Sequence, residues 1–275
     1  MYLTRHNPLS GPPQDVRWAV DGHLLAPGLT LATLLSLESE AMQATIRAAK
    51  TDEPATGPVL APIEDAHEVW ACGVTYLRSR EARVAESDSG DVYERVYDAE
   101  RVEIFFKATG WRVRGPDQAI RVRADSHWNV PEPELTLVLN AAGTIVGYTV
   151  GNDVSSRDIE GENPLYLPQA KVYDGSCALG PGILLTDADA QRALPITMHI
   201  ERASKTVFEG ETTSAQLKRG LEEMAGYMFR EMAFPGGAFL MTGTCLVPPD
   251  EYTLTPGDKV RIGVGNLALE NVVGT

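Results

Sequence analysis

From Arg101 to the C-terminus, short apolar runs recur between Gly, Pro and Asp punctuation: EIFF, RVRG, AIRVRAD, LTLVLN, TIVGYTVGNDV, GILLTD, ITMHIER, KTVFEGE and KVRIGVGN. Runs of this length with turn residues between them predict strands. Glu68 to Val74 reads as another strand, and Val16 to Val20 as a short strand-like piece. Helical periodicity is confined to three stretches: an Ala/Leu/Glu-rich run from Leu31 to Ala49, a charged stretch from Tyr76 to Tyr97 broken by SDSGD, and Ser214 to Phe229. In the last, Leu217, Leu221, Met224 and Met228 recur at three- and four-residue spacing. The segment TDEPATGPVLAP, with its prolines and glycine, reads as a linker. It separates a small N-terminal α+β segment, residues 1–60, from a main domain, residues 61–275, with the boundary near Ala61. The expected fold class is mainly β with α+β elements, mostly antiparallel and closed or rolled.

Composition adds bounds. The 275 residues are 43% hydrophobic and 23% charged, and no apolar run approaches the roughly 20 residues that span a bilayer. The N-terminus MYLTRHNPLSGPP lacks a secretory apolar stretch, so the expected location is cytoplasmic with no membrane partner. Cys72, Cys177 and Cys245 are odd in number and far apart, which argues against a disulfide framework or a zinc site. They read as small buried residues. A net charge of −14 repels phosphate backbones, so no nucleic-acid partner is expected. Arg78, Arg80 and Arg83 are interleaved with Glu81 and Glu86, and read as a solvated or site-facing helix. His6, His23, His67, His127 and His199 lack paired spacing and read as structural or surface residues. Trp70, Trp111 and Trp128 read as core.

Candidate chemistry concentrates between His127 and Gly182. On a strand, Glu132 and Glu134 project from one face while Leu135, Leu137 and Leu139 fill the other. Two adjacent carboxylates stay ionised only when a cation or hydrogen-bond donors compensate them, and oxygen donors suit Mg²⁺, with Mn²⁺ or Ca²⁺ as substitutes. Asp153 is a third possible ligand. The Glu-x-Glu spacing alone also fits a solvent-facing strand, and Lys171 alone fits a surface lysine.

The ordered set of motifs goes further. Glu132-x-Glu134, then GYTVGNDVSSRD, Lys171 and the LGP turn at Gly180 and Pro181 resemble the catalytic domain of the fumarylacetoacetate hydrolase family. EIFFKATG at Glu103 to Gly110, TGT at Thr242 to Thr244 and the closing PGDKVRIGVGNLALENVV extend the resemblance from about Val69 to the end. It implies a mixed β-sandwich roll and a homodimer. It also implies Glu132, Glu134 and Asp153 as metal ligands, Lys171 beside them with Gln169 nearby, and Phe106 and Thr244 at the substrate acid. Hydrolytic members carry Asn-Tyr-x-x-His-x-x-Glu. Here Thr75 to Glu81 places Ser79 where that histidine would be, which counts against water activation by a His–Glu dyad.

DVYERVYDAERVEIFFKAT and GENPLYLPQAKVYDG are most similar to the family's 2-keto-3-deoxy sugar acid dehydratases. That branch implies Glu103 and Lys171 as the catalytic pair, acting on a small-molecule 2-oxo acid. The expected chemistry is chelation of the oxo acid by Mg²⁺, loss of a C3 proton to Lys171 to give a stabilised enolate, and protonation of the departing C4 hydroxyl by Glu103. Residues 78–98 are expected to form a lid bringing Arg78 toward the substrate tail. Two alternatives stand beside this reading: a hydrolase or decarboxylase that cleaves a C–C bond of a 1,3-dioxo acid, and a non-catalytic ligand-binding protein on the same fold.

Overall fold

Most of the apolar runs are paired with a neighbour in the computed structural model, which describes residues 1–7, 16–78, 81 and 95–274. In chain order the strands begin with β1 (Tyr2–His6), β2 (Arg17–Val20), β3 (His23–Leu25), β4 (Lys50–Pro54), β5 (Val59–Leu60) and β6 (Glu68–Gly73). They continue with β7 (Glu103–Thr109), β8 (Asn129–Val130), β9 (Pro133–Leu139), β10 (Ile145–Asp153), β11 (Ser155–Ser156) and β12 (Cys177–Leu185). The last are β13 (Pro195–Arg202), β14 (Lys205–Thr213), β15 (Ala238–Met241), β16 (Lys259–Val264) and β17 (Leu267–Val272). Described α-helices are α1 (Leu31–Leu35), α2 (Ser39–Ala49), α3 (Arg157–Glu162), α4 (Leu167–Lys171) and α5 (Leu221–Met228).

A large sheet runs β4-β3-β2-β1-β12-β10-β9-β15-β6-β7, with β5 added against β1. Its described pairs are antiparallel except β15 with β6. A second sheet, β14-β13-β16-β17, covers one face, and β8 pairs with β11 as a small ribbon. The sequence patterns explain the layering. The outer strands β13, β16 and β17 alternate buried and open positions, as expected of a sheet with one solvated face. β9 and β10 are buried throughout, because both of their faces are covered.

Leu135, Leu137 and Leu139 point into a core shared with Ile196, Met198, Ile262 and helix α5. The opposite face of β9, through Val138, meets a core built from α1, α2 and β1–β3. Residues 1–60 are thus joined to the rest by the β1–β12 pairing and by a shared core. Glu64 strengthens the join. Its carboxylate accepts from the Trp18 indole N–H at 2.8 Å and from the first α1 amides, Leu31 at 2.6 Å and Ala32 at 3.2 Å, where a negative charge is favoured.

Four sequence expectations are corrected. The Leu31–Ala49 helix is two helices, because the chain turns at Ser36–Glu38, where the Asn140 amide donates to the Leu37 carbonyl and the Ser36 hydroxyl to that of Thr33. Ser214–Phe229 is a 3₁₀ turn (Ser214–Gln216) followed by α5. Lys218 and Arg219 are drawn out of the helix by hydrogen bonds to the 97–100 backbone. RVRG and AIRVRAD form only isolated bridges at Arg114 and Ile120, since Gly115 and Pro116 break the run. Trp111 is not core but 58% exposed, under the Arg112 guanidinium.

Asp258 ties the second sheet to the approach of the site. Its buried carboxylate takes both Nε and Nη2 of Arg202 at 2.7 Å, and also accepts from Thr255 N–H and the Tyr252 hydroxyl. The same loop grips β8, with Leu254 N–H donating to the Asn129 carbonyl at 2.8 Å and Asn129 N–H to the Thr253 hydroxyl at 2.9 Å. Burial alone would raise the Asp258 carboxyl, but Arg202, Thr255 and Tyr252 outweigh it and hold it below its ordinary value. A depressed carboxylate stabilises the fold fully above the unfolded pKa of about 3.9 and loses that contribution as pH falls through the folded value. Asp258→Asn is therefore expected to cost about 1–3 kcal/mol at neutral pH. Urea unfolding should show this gap shrinking below about pH 4; a gap independent of pH contradicts the assignment.

Candidate metal centre and active site

Three buried carboxylates meet at one end of the large sheet. Glu134 is on β9, Glu132 lies just before it, and Asp153 ends the neighbouring β10. The β9–β10 pairing sets Gly151 against Glu134 and Asn152 against Pro133, so the ends of both strands converge. One oxygen from each carboxylate lies within 4.8 Å of the others. Glu132, Glu134 and Asp153 are 3%, 1% and 1% exposed.

Cations from three other elements approach them. Lys171, the last residue of α4, places Nζ 2.6 Å from Glu132 Oε2 and 3.1 Å from Asp153 Oδ2. Arg157, which opens α3, donates from Nη2 to Glu132 Oε1 at 2.7 Å. Lys107 on β7 is fully buried, 2.5 Å from Asp153 Oδ1, and donates to the carbonyls of Val154 at 3.0 Å and Lys171 at 2.6 Å. It fixes a ligand and the end of α4 at once.

Glu134 is compensated differently. The Gly243 N–H donates to its Oε2 at 2.6 Å. Gly243 has φ +91°, and a Cβ there would lie 2.1 Å from the Thr75 hydroxyl, so only glycine presents its amide in this way. Burial pushes the Glu134 carboxyl well above the usual carboxylate range, and the charges of Asp153 and Glu132 push it the same way; Lys171 and Gly243 offset part of this. Three buried carboxylates that bring hard oxygen ligands together fit Mg²⁺, Mn²⁺ or Ca²⁺. The cation would be held by Glu132, Glu134 and Asp153.

Glu103, Phe105, Glu160 and Thr244 also line the cavity over this cluster. Gly73 makes room for Glu103, since a Cβ at that position would lie 2.1 Å from Glu103 Oε2. Val74 lines the same wall at φ +52°, a conformation that costs a β-branched residue about 1–3 kcal/mol. Cys72 lines it too, but burial raises its thiol pKa strongly, with Glu134 and Glu103 adding to the effect. It remains a neutral thiol and a poor nucleophile.

Residues 68–274 match the profile described as fumarylacetoacetate (FAA) hydrolase C-terminal. The chain belongs to the fumarylacetoacetate hydrolase family. It is 49% identical over 221 residues to a probable 2-keto-3-deoxyxylonate dehydratase of Haloferax volcanii, covering 79% of this chain and 74% of that protein. It is 45% identical over 208 residues to the 2-dehydro-3-deoxy-D-arabinonate dehydratase of Saccharolobus solfataricus, covering 74% and 70%. A solved 2-keto-3-deoxy-D-arabinonate dehydratase, complexed with magnesium and 2,5-dioxopentanoate, superposes with TM-score 0.82 at 36% identity, covering 100% of this chain and 99% of that one.

Within this family fold, Glu132, Glu134, Asp153, Lys171, Glu103 and Thr244 line one cavity. The other sequence-derived residues lie elsewhere. Phe106 packs edge-on against Trp70 at 5.7 Å, and it is Phe105 that lines the cavity, 5.7 Å from Lys171 Nζ. Gln169 is exposed, its carbonyl accepting from Arg123. Arg78 is exposed and does not line the cavity. Ser79 and most of the expected lid lie outside the described residues. His127 is exposed. Lys107, Arg157, Glu160 and Gly243 are not singled out by the sequence patterns, although Lys107, Arg157 and Gly243 fall inside the motifs EIFFKATG, GYTVGNDVSSRD and TGT.

Magnesium is expected to raise the wild-type unfolding free energy by about 2.7 kcal/mol at a hundred times its Kd. Glu134→Gln keeps the side-chain volume but removes the charge, and should lose most of this gain. Thermal unfolding with and without Mg²⁺ measures it, and an equal gain in both proteins contradicts the ligand assignment.

Proposed function

We propose that this chain is a divalent-metal-dependent dehydratase of 2-keto-3-deoxy sugar acids. The observation that carries the reading is Lys171, whose buried amine bridges two of the three clustered carboxylates in a cavity that also holds Glu103. The dehydratase names of relatives at 49% and 45% identity, and the magnesium and dioxo-acid complex of a structural neighbour, support the same chemistry. When bound, a divalent cation supplies a Lewis acid that polarises the 2-oxo group and makes the C3 proton more acidic.

The residues of the chain carry the proton transfers. With a cation held by Glu132 and Asp153, its positive charge beside Lys171 would favour the neutral amine. The position of Lys171 does not relax, because its carbonyl is held by Lys107 Nζ and by the Ser176 hydroxyl at 2.8 Å. The neutral amine takes a C3 proton, the C3–C4 double bond forms, and the C4–O bond breaks. Glu103 gives its proton to the leaving hydroxyl, so one water departs. Phe105 covers the Lys171 side and keeps bulk water from competing. The same proposal includes a cytoplasmic location, as the N-terminal sequence implies, and a homodimer, as the family resemblance implies.

With Mg²⁺ and 2-keto-3-deoxypentonates, mass spectrometry is expected to show loss of one water, abolished by EDTA. Lys171→Ala and Glu103→Gln should each lower kcat by about 10²–10⁴. Glu103→Gln should leave Mg²⁺ affinity near wild type. Lys171→Ala should retain or tighten it, since the variant removes a cation that competes for Glu132 and Asp153. Water gain with C–C cleavage of 1,3-dioxo acids, and no dehydration, overturns the proposal in favour of a hydrolase.

A further inference from the structure

Glu103 opens β7, and the residues that lead into it are laid against the start of α5. Arg219 Nη2 donates to the Ala99 carbonyl and Nη1 to the Glu100 carbonyl at 3.4 Å, while Glu223 Oε1 takes Nη1 at 2.9 Å. Tyr227, a further turn along α5, receives the Arg101 guanidinium over its ring at 5.9 Å. The four-residue steps from Arg219 to Glu223 to Tyr227 put all three on one stripe. Lys218 adds two more contacts, its Nζ lying 2.5 Å from the Tyr97 carbonyl and 2.8 Å from Asp98 Oδ1. Val102 then enters the core shared with Leu221 and Met224. Every residue from Tyr97 to Val102 is thus seated on one surface immediately before Glu103. Arg219 is the centre of that seat. Its side chain is 13% exposed, and its charge reaches the cavity wall, where it opposes the larger effect of burial on the Cys72 thiol.

We propose that Arg219 is a positioning residue for proton delivery, setting the start of β7 and through it the reach of the Glu103 carboxyl toward the leaving hydroxyl. The inference rests on the dehydratase reading above, in which Glu103 is the acid. β7 is the end strand of its sheet, and Glu103 sits at its last rung, paired with Gly73. Beyond that rung the ladder gives no support, and the Arg219 contacts take over. A guanidinium presents several donors in one rigid plane, so a single side chain holds two successive carbonyls at once. A misplacement of about 1 Å at the reacting groups costs on the order of 10²-fold in rate. The other half of the reaction is built separately. The ligand carboxylates and Lys171 are held by Lys107, Arg157 and Ser176, so removal of the C3 proton does not depend on Arg219.

The test compares wild type, Arg219→Gln, Arg219→Lys, Glu103→Gln and the variant carrying both Arg219→Gln and Glu103→Gln, all loaded with Mg²⁺. Two readouts separate the proton transfers: steady-state dehydration of a 2-keto-3-deoxypentonate, and NMR exchange of the C3 protons of 2-oxopentanoate in heavy water. The second compound has no C4 hydroxyl, so its exchange calls on the cation and Lys171 but not on Glu103. Arg219→Gln is expected to lower kcat for dehydration about 10- to 100-fold, with KM within about threefold of wild type. Its C3 exchange and Mg²⁺ affinity should stay near wild type. Arg219→Lys keeps the charge without the fork and should lose less in the same readout, which covers the case in which Arg219→Gln does not fold. Added to Glu103→Gln, Arg219→Gln should lower kcat by less than about threefold more, because the two act as one unit. Exchange that falls as far as dehydration overturns the inference, by making Arg219 a support for the whole cavity. Unaltered dehydration in both Arg219 variants, or full additivity in the double variant, overturns it as well. No dehydration by wild type removes the dehydratase reading and this inference together.

Discussion

Bringing Glu132, Glu134 and Asp153 within 4.8 Å of one another, at 3% exposure or less, is electrostatically unfavourable unless positive charge is supplied nearby. The three are answered by donors from several other parts of the chain. Arg157 from α3 and Lys171 from α4 take Glu132, Lys107 from β7 and Lys171 take Asp153, and a glycine amide takes Glu134. Removing any one of these would leave a buried charge short of a partner, which is the costly case for such clusters.

The fold can be understood as the means of holding that arrangement. Strands β9 and β10 are buried on both faces, so their ends are rigid and carry the ligands with little freedom. The second sheet covers one face, and the Asp258 network ties its edge to the β8 segment that leads into Glu132. The N-terminal helices cover the other face, anchored by Glu64. Lys107 spans the distance between β7 and the end of α4, so that Lys171 and Asp153 are both set by a single buried ammonium. Preorganisation of this kind is what lets a small site perform proton transfer without first rearranging.

Much of this was legible in the residues, and the exceptions have physical causes. The strand-rich class follows from short apolar runs between turn residues, whereas the carboxylate triad follows from the family resemblance of the ordered motifs, since acids two residues apart also fit a solvent-facing strand. Lys107 and Arg157 sat in quoted motifs, but a lysine in a strand and an arginine after a turn ordinarily reach solvent; only tertiary pairing buries them. The exchange of Phe106 for Phe105 at the cavity comes from the irregular register between Val69 and Trp70, which sets Phe106 opposite Trp70. The α5 boundary was lost because Lys218 and Arg219 are claimed by the 97–100 backbone, an interaction more than a hundred residues distant in sequence. Val74 at φ +52° had no sequence signal, since a β-branched residue in that region is the last choice local propensity would make.

The most direct test of the central claim is anomalous diffraction from crystals soaked in Mn²⁺. The account predicts one strong site bound by oxygens of Glu132, Glu134 and Asp153 at about 2.0–2.3 Å, with Lys171 Nζ released from at least one of its carboxylate partners. Manganese bound elsewhere, or no site while Lys107, Arg157 and Lys171 keep their contacts with Glu132 and Asp153, would contradict it.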